Sequence, residues 1–361
     1  MKATQILHDL GQSLWLDNIT RDLLDTGTLK RYIAELSVTG LTSNPTIFDQ
    51  AISKSASYDS SIQEKASQEK TPEDLFFGLA LEDLTRAADL FRPTYDQTHG
   101  VDGWVSLEVS PALAYDADKS LAVAKSLHAR AARPNLFIKI PGTQQGLTAI
   151  EEAIFAGVSV NVTLLFSREQ YLAAADAYAR GIERRIAAGL PANVGSVASV
   201  FISRWDVAVA KKVPDELRDK LGIAIAQRTY KAYFDLLATP RWKAIAAAGY
   251  NPQRLLLAST GTKDPRASDV LYIKALAAPN TVNTMPEGTL KAFADHGEVG
   301  DVMPTDGGDC EQVLAQFGKA GIDVDALAAQ LQDEGAKSFV KSWDDLLKVI
   351  ESKSAVLTKV I

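Results

Sequence analysis

Short apolar runs alternate along this chain with stretches whose apolar residues recur at helical spacing. The runs read as strands and fall at residues 14–17, 38–44, 104–109, 136–140, 158–166, 197–202, 254–259 and 281–284. Between the first two, Leu29, Tyr32, Ile33 and Leu36 outline one helix face. A longer helical insertion is predicted over about 45–91. Its last helix has Thr71 as N-cap and Pro72 at the first helical position, with Phe77, Ala80, Leu81, Leu84, Ala88 and Phe91 on one face. Helices are also predicted after Asp116, over 144–153, from the fifth run to about 188, and from the sixth run to about 248. Past about 309 only helical spacing remains, in 313–317, 327–331 and 339–350.

Eight strand–helix alternations with no composition-biased linker predict an α/β fold, a closed (β/α)8 TIM barrel. A doubly wound open sheet is the structural alternative. The expected organisation is a single domain, with the barrel over 1–307 and a helical C-terminal extension, 308–361, packed on it. No internal repeat and no glycine-rich nucleotide loop is present.

Parallel strands packed on both faces should be apolar throughout. Several of these are not. Side chains alternate faces along a strand. Leu14 and Leu16 share one face and leave Asp17 on the other. Val105, Leu107 and Val109 oppose Ser106 and Glu108; Leu136, Ile138 and Ile140 oppose Lys139. Val158, Val160, Val162 and Leu164 oppose Ser159, Asn161 and Thr163. The apolar set suits the outer face beneath the helices, so the polar set points into the barrel. Most of it lies near the C-terminal strand ends, where barrel enzymes carry their active sites. A buried charge without compensation costs several kcal/mol. A set made of Asp17, Asn44, Glu108, Lys139, Asn161 and Thr163 therefore points to a site rather than to packing.

Composition narrows the class. Of 361 residues, 46% are hydrophobic and 23% charged, a balance that supports a sizeable core. The formal net charge of −7 argues against nucleic acid or an anionic membrane as partner. One cysteine, Cys310, excludes an intramolecular disulfide and is expected to be structural or incidental. With 4 histidines, His8, His99, His128 and His296, none on an inward strand end, no metal site is expected. No apolar stretch suits a secretory signal or a membrane span, so a cytoplasmic protein is expected.

Lysine held among apolar neighbours loses part of its preference for the charged form. A neutral amine attacks a carbonyl and forms a Schiff base, whose protonated imine is an electron sink for C–C cleavage. Asp17 and Glu108 are the inward carboxylates available for proton transfer. Asn44, Asn161 and Thr163 suit hydrogen bonding to sugar hydroxyls. These residues support a carbonyl lyase or transferase without choosing between them.

Six segments together carry a resemblance: SLWLDNI (13–19), GLTSNPTIF (40–48), VSLEVSP (105–111), LFIKIPGT (136–143), VNVTLLFS (160–167) and SVFISR (199–204). In this order they resemble transaldolase, in the longer bacterial branch and without the isomerase domain fused to some members. The resemblance implies a class I aldolase-type barrel. It implies transfer of a dihydroxyacetone unit from sedoheptulose 7-phosphate or fructose 6-phosphate to glyceraldehyde 3-phosphate or erythrose 4-phosphate, in the pentose phosphate pathway. No cofactor is expected, and the expected assembly is a monomer or homodimer. Lys139 would form the Schiff base and Asp17 would move the proton of the C4 hydroxyl. Glu108 would activate a water shared with Thr163. Asn44 and Asn161 would hold hydroxyls, and Ser199 and Arg204 the phosphate. Shorter transaldolases carry an arginine after the seventh strand. This chain has ASTGTKDP (258–265), so Lys263 is the expected second cation, with Arg266 as alternative and Ser259 as a further hydroxyl.

Three rivals stand beside this reading. A fructose-6-phosphate aldolase would release dihydroxyacetone; by the same resemblance such chains are shorter and carry tyrosine at the position of Glu108. A metal-dependent aldolase or isomerase would need a His–carboxylate cluster. A non-catalytic sugar-phosphate binder would not need Lys139, Asp17 and Glu108 together. Lys341 and Lys348, in the last predicted helix, read as a solvated face.

Overall fold

The computed structural model describes residues 1–66, 69 and 71–357. Positions 67, 68 and 70 of the expected insertion and 358–361 of the expected extension lie outside the described residues. Eight parallel strands close into a barrel in sequence order. They are β1 (Ser13–Asp17), β2 (Val38–Thr42), β3 (Val105–Glu108), β4 (Leu136–Pro141), β5 (Val160–Leu165), β6 (Ser196–Phe201), β7 (Arg254–Ala258) and β8 (Val282–Met285). The open sheet is excluded because β1 pairs with β8 as well as with β2. Each predicted run holds a strand; the eighth is displaced by one residue, ending at Met285.

Alternation sorts the strand side chains into two cores. Leu14, Leu16, Val105, Leu107, Leu136, Ile138, Ile140, Val160 and Val162 join the large core beneath the helices. Trp15, Trp104, Phe137, Val197, Leu256 and Val282 fill the barrel interior. Trp104 stacks on Phe137 at 3.8 Å and 10°. These interior residues stand two positions before Asp17, Ser106, Lys139, Ser199, Ala258 and Thr284, one layer lower, with Trp104 just ahead of β3. The polar set thus rests on an aromatic floor.

The floor has its own polar anchor. Buried Asp102 accepts from Trp15 Nε1 at 2.8 Å and from the Ser13 hydroxyl. Arg254 Nη2 donates to Ser13 Oγ and to the Thr281 carbonyl, both at 2.9 Å. Room for Trp15 comes from Gly40. The β1–β2 register steps from Leu14↔Val38 to Trp15↔Gly40, passing over Thr39.

One alternation was misread. Leu164 does not join Val160 and Val162 on the outer face. The β5–β6 register slips between Val162 and Leu165, and Leu164 has φ 59°. This bulge turns Leu164 toward the interior cluster with Phe166, and Leu165 takes the outer position.

The insertion holds helices Pro45–Lys54, Asp59–Lys65 and Pro72–Gln97. The last continues past Phe91 and through Pro93, because Tyr95 packs edge-on against Trp104 at 5.0 Å. Gly103 permits this approach: a Cβ there would stand 2.3 Å from Tyr95 N. Tertiary packing overrides the proline, which by itself favours a stop.

The helical segments after 309 are two helices, Cys310–Lys319 and a 34-residue helix, Val324–Leu357. Leu327, Leu331, Phe339, Trp343, Leu346 and Ile350 form one buried face along the long helix, so the segments read separately belong to one continuous stripe. It docks on the insertion through Trp343 against Phe76, edge-on at 5.0 Å, and a hydrogen bond between Thr46 and Ser342 at 2.8 Å. Gln332 Nε2 donates to the carbonyls of Gly142 and Leu164, at the ends of β4 and β5. Lys341 and Lys348 are exposed on the far side. Cys310 is buried. Among the described residues no helix is long and apolar enough to cross a membrane.

Gly40→Ala is expected to destabilise the fold. The new Cβ would meet Trp104 O at 2.6 Å and Trp15 Nε1 at 2.7 Å. The overpacking should cost about 1–3 kcal/mol, seen as a lower urea midpoint. An unchanged midpoint would mean the Trp15 ring can shift without loss.

Candidate active site

A cavity of about 480 Å³ opens at the C-terminal end of the barrel. Asp17, Asn44, Lys139, Thr163, Ser199, Arg204, Ser259 and Lys263 all line it. Glu108 and Asn161, the other two predicted site residues, are buried within the strands beside Lys139: Glu108↔Lys139 and Lys139↔Asn161 are register partners.

Lys139 is 5% exposed and Glu108 4%. Lys139 Nζ donates to Glu108 Oε2 at 3.0 Å and to the Ser43 carbonyl at 2.8 Å. The Ser43 carbonyl is available because β2 ends at Thr42 and the chain turns into the helix capped by Asn44. Glu108 Oε1 and Thr163 Oγ1 are buried and find no partner among the described residues. Burial pushes the Glu108 carboxyl up from its ordinary range, against the opposing pull of Lys139. A carboxyl so placed can exchange a proton at Nζ.

Asp17 closes β1. Its Oδ1 accepts from Thr42 Oγ1 at 2.8 Å, and Thr42 Oγ1 lies 2.8 Å from Thr284 Oγ1. Since Thr42 spends its proton on Asp17, Thr284 must donate to Thr42. Burial also raises Asp17, opposed first by Lys139 and then by the Thr42 hydrogen bond. A carboxyl raised above the usual range holds its proton more readily, which suits a group that takes up and returns a proton.

Asn44 serves the fold and the cavity together. Its Oδ1 caps the helix Pro45–Lys54 by accepting from Ile47 N at 3.1 Å, while the residue stays on the cavity wall. Asn161 is fully buried, donating to Ser106 Oγ at 3.1 Å and accepting from Ser199 Oγ at 2.7 Å. This leaves one amide proton of Asn161 unspent.

Arg204 and Lys263 bring positive charge to the wall. Arg204 follows β6 at the start of the helix Ser203–Val209. It makes no ion pair with a described residue. Burial pushes its pKa down, opposed by Glu108 and Asp17. Lys263 is exposed at the rim. Arg266, the alternative second cation, does not line the cavity. It is bound to Asp264 at 3.2 Å and lies 3.7 Å from Asp215. The physical reason is local: the Asp264–Pro265–Arg266 turn lets Asp264 accept from the Arg266 backbone and side chain together.

Sequence reading missed Thr42, Thr284, Phe201 and Phe339. Thr42 and Thr284 are polar residues at strand ends and carried a signal. Phe339 carried none, because it belongs to the long C-terminal helix and meets the cavity only through tertiary packing.

A closed eight-stranded barrel with a buried lysine–carboxylate pair and a second buried carboxylate at the cavity of its C-terminal end defines a β/α-barrel enzyme. The family model described as Transaldolase/Fructose-6-phosphate aldolase matches residues 14–350, and the chain belongs to that family. Similar relatives include a transaldolase of Saccharopolyspora erythraea, 45% identical over 97% of this chain and 97% of its own. A transaldolase of Frankia alni is 45% identical over 94% of both chains, and one of Parafrankia sp. 43% over 98% of both.

Asp17→Asn is expected to stabilise the fold at neutral pH while impairing turnover. The sign follows from the raised native pKa of Asp17. A native carboxyl that binds its proton more tightly than the unfolded chain favours folding at low pH. That contribution is lost as pH rises through the native pKa. The variant should therefore melt higher than the wild type at pH 8, with the gap closing toward pH 4. A gap that widens on acidification would reverse the assigned shift.

Proposed function

We propose that the enzyme is a transaldolase that carries a dihydroxyacetone unit on Lys139. The donors are fructose 6-phosphate or sedoheptulose 7-phosphate, and the acceptors erythrose 4-phosphate or glyceraldehyde 3-phosphate. The observation that carries this reading is the Lys139 amine, buried 3.0 Å from Glu108 and opening on a cavity that also holds Asp17 and Arg204.

Lys139 Nζ attacks C2 of the ketose and gives a carbinolamine. Glu108, acting through a water held with Thr163, moves the protons that allow water to leave and the imine to form. The protonated imine then accepts the electron pair of the C3–C4 bond as Asp17 takes the C4 hydroxyl proton. An aldose phosphate departs and an enamine stays on Lys139. Its C3 attacks the carbonyl carbon of the acceptor, and Asp17 returns its proton to the new alkoxide. Hydrolysis of the imine frees the product and the lysine.

Asn44 and the free amide proton of Asn161 hold hydroxyls of the bound three-carbon unit. Ser199, Arg204 and Lys263 take the phosphate, with Ser259 as a further hydroxyl. A planar guanidinium suits two phosphate oxygens, and a lysine supplies a point charge. The enzyme needs no metal or organic cofactor for this chemistry. It works in the cytoplasm as a monomer or homodimer. Glu108 and the relatives named transaldolase favour transfer over simple release of dihydroxyacetone.

Borohydride reduction with fructose 6-phosphate is expected to leave a covalent adduct on Lys139, found by peptide mass, and none on Lys139→Ala. Untrapped wild type would sink the Schiff-base reading. Asp17→Ala should still be trapped, yet turn over about 10²–10⁴-fold more slowly, the usual worth of general acid–base catalysis. Loss of the adduct in that variant would move Asp17 to an earlier step. Fast release of free dihydroxyacetone without acceptor would make the enzyme an aldolase instead.

A further inference from the structure

Arg204 is held in an unusual way for a buried cation. Its guanidinium lies over two aromatic rings, 5.0 Å from the centroid of Phe201 and 5.5 Å from that of Phe339. It forms no hydrogen bond or ion pair with another described residue. Charged groups out of water normally take an acidic partner, and Glu108 and Asp17 are near enough to act on this one. Ring faces satisfy the flat sides of a guanidinium by cation–π attraction but use none of its N–H donors. The planar fork therefore stays free for an anion entering the cavity.

The two rings have different origins. Phe201 comes from β6, two residues beyond Ser199, and is part of the barrel. Phe339 comes from the long C-terminal helix, outside the barrel, and lines the cavity. That helix is fixed on both sides of Phe339. Gln332 ties it to the Gly142 and Leu164 carbonyls, and Trp343 locks into the insertion. One turn before Phe339 stands Gly335, in mid-helix, where glycine is less favourable than alanine. A Cβ there would lie 3.1 Å from Arg204 Nη1 and 3.0 Å from Leu164 Cδ2. The glycine thus makes room for the guanidinium, and the bulge that turns Leu164 inward fills the space beside it.

We propose that Phe339, with the space left by Gly335, is a positioning residue that holds Arg204 for the substrate phosphate. The C-terminal helix thereby sets the preference for phosphorylated over unphosphorylated ketoses. Without the Phe339 ring, the Arg204 guanidinium is free to turn toward Asp17 and Glu108, which attract it. The proposal rests on the reading of Arg204 as a phosphate ligand.

The test compares Phe339→Leu, which keeps apolar bulk without a ring, with Phe339→Tyr, which keeps the ring. Inorganic phosphate is titrated calorimetrically into each. KM and kcat are measured with fructose 6-phosphate and erythrose 4-phosphate, and borohydride trapping with dihydroxyacetone alone. Phe339→Leu is expected to weaken phosphate binding and raise KM for fructose 6-phosphate about tenfold, the equivalent of one desolvated cation–π contact. kcat and trapping with dihydroxyacetone should hold, and Phe339→Tyr should restore phosphate affinity. Unchanged phosphate affinity in Phe339→Leu, or equal losses with the phosphorylated and unphosphorylated donors, overturns the proposal. So does a Phe339→Tyr variant as weak as Phe339→Leu. Gly335→Ala supplies a second variant, expected to shift phosphate affinity in the same direction with trapping by dihydroxyacetone intact. Phosphate binding is read separately from turnover. Absence of trapping in the wild type would therefore strike the transaldolase reading, while unshifted phosphate binding in Phe339→Leu would strike this one.

Discussion

A lysine amine inside a barrel needs a partner that the barrel itself supplies. Lys139 finds it in Glu108, its register partner on the adjacent strand, and in the Ser43 carbonyl at the end of β2. Three strands therefore have to hold their stagger for this one nitrogen to be satisfied. Removing either member of a buried ion pair strands the other charge at a cost of several kcal/mol, so the pair constrains the barrel as well as serving chemistry. The floor beneath it answers the same need. Trp15, Phe137 and Trp104 pack beneath it in the barrel interior, while Asp102 and Arg254 secure that floor by hydrogen bonds.

The carboxylates show what burial of the site costs the protein. Asp17 and Glu108 both have raised pKa values because burial penalises their charged forms more than Lys139 compensates. A fold optimised for stability alone would not keep them. Their environment is suited to a reactant that exchanges protons with them and brings its own hydroxyls. Active sites commonly trade stability for such preorganisation.

The elements outside the barrel are joined to this centre. Asn44 both faces the cavity and caps the first insertion helix. That helix carries Thr46, which bonds to Ser342 of the C-terminal helix, and the C-terminal helix delivers Phe339 to the guanidinium of Arg204. Cavity wall, insertion and extension are thus joined by a continuous set of contacts. The Trp343–Phe76 contact lies on the same helix, one turn beyond the Phe339 ring that meets Arg204.

Period-two patterning made the barrel legible, since eight strands that each hide one face under helices must repeat the same alternation. It also exposed the inward set, because Asp17, Glu108 and Lys139 interrupt apolar strands where charge is costly. These were local signals, and the sequence alone determined them. Leu164 marks where local signals end: its strand slips register against β6, so the alternation inverts within two residues. The helix through Pro93 continued for the sake of Tyr95 and Trp104, a contact between distant positions. The choice of Lys263 over Arg266 at the cavity wall turned on an ion pair with Asp264. Phe339 lies on a helix whose apolar face says only that it is buried, not against what. Periodicity fixes which face of an element hides from water. The partner that covers that face is decided only when distant segments compete for the same space.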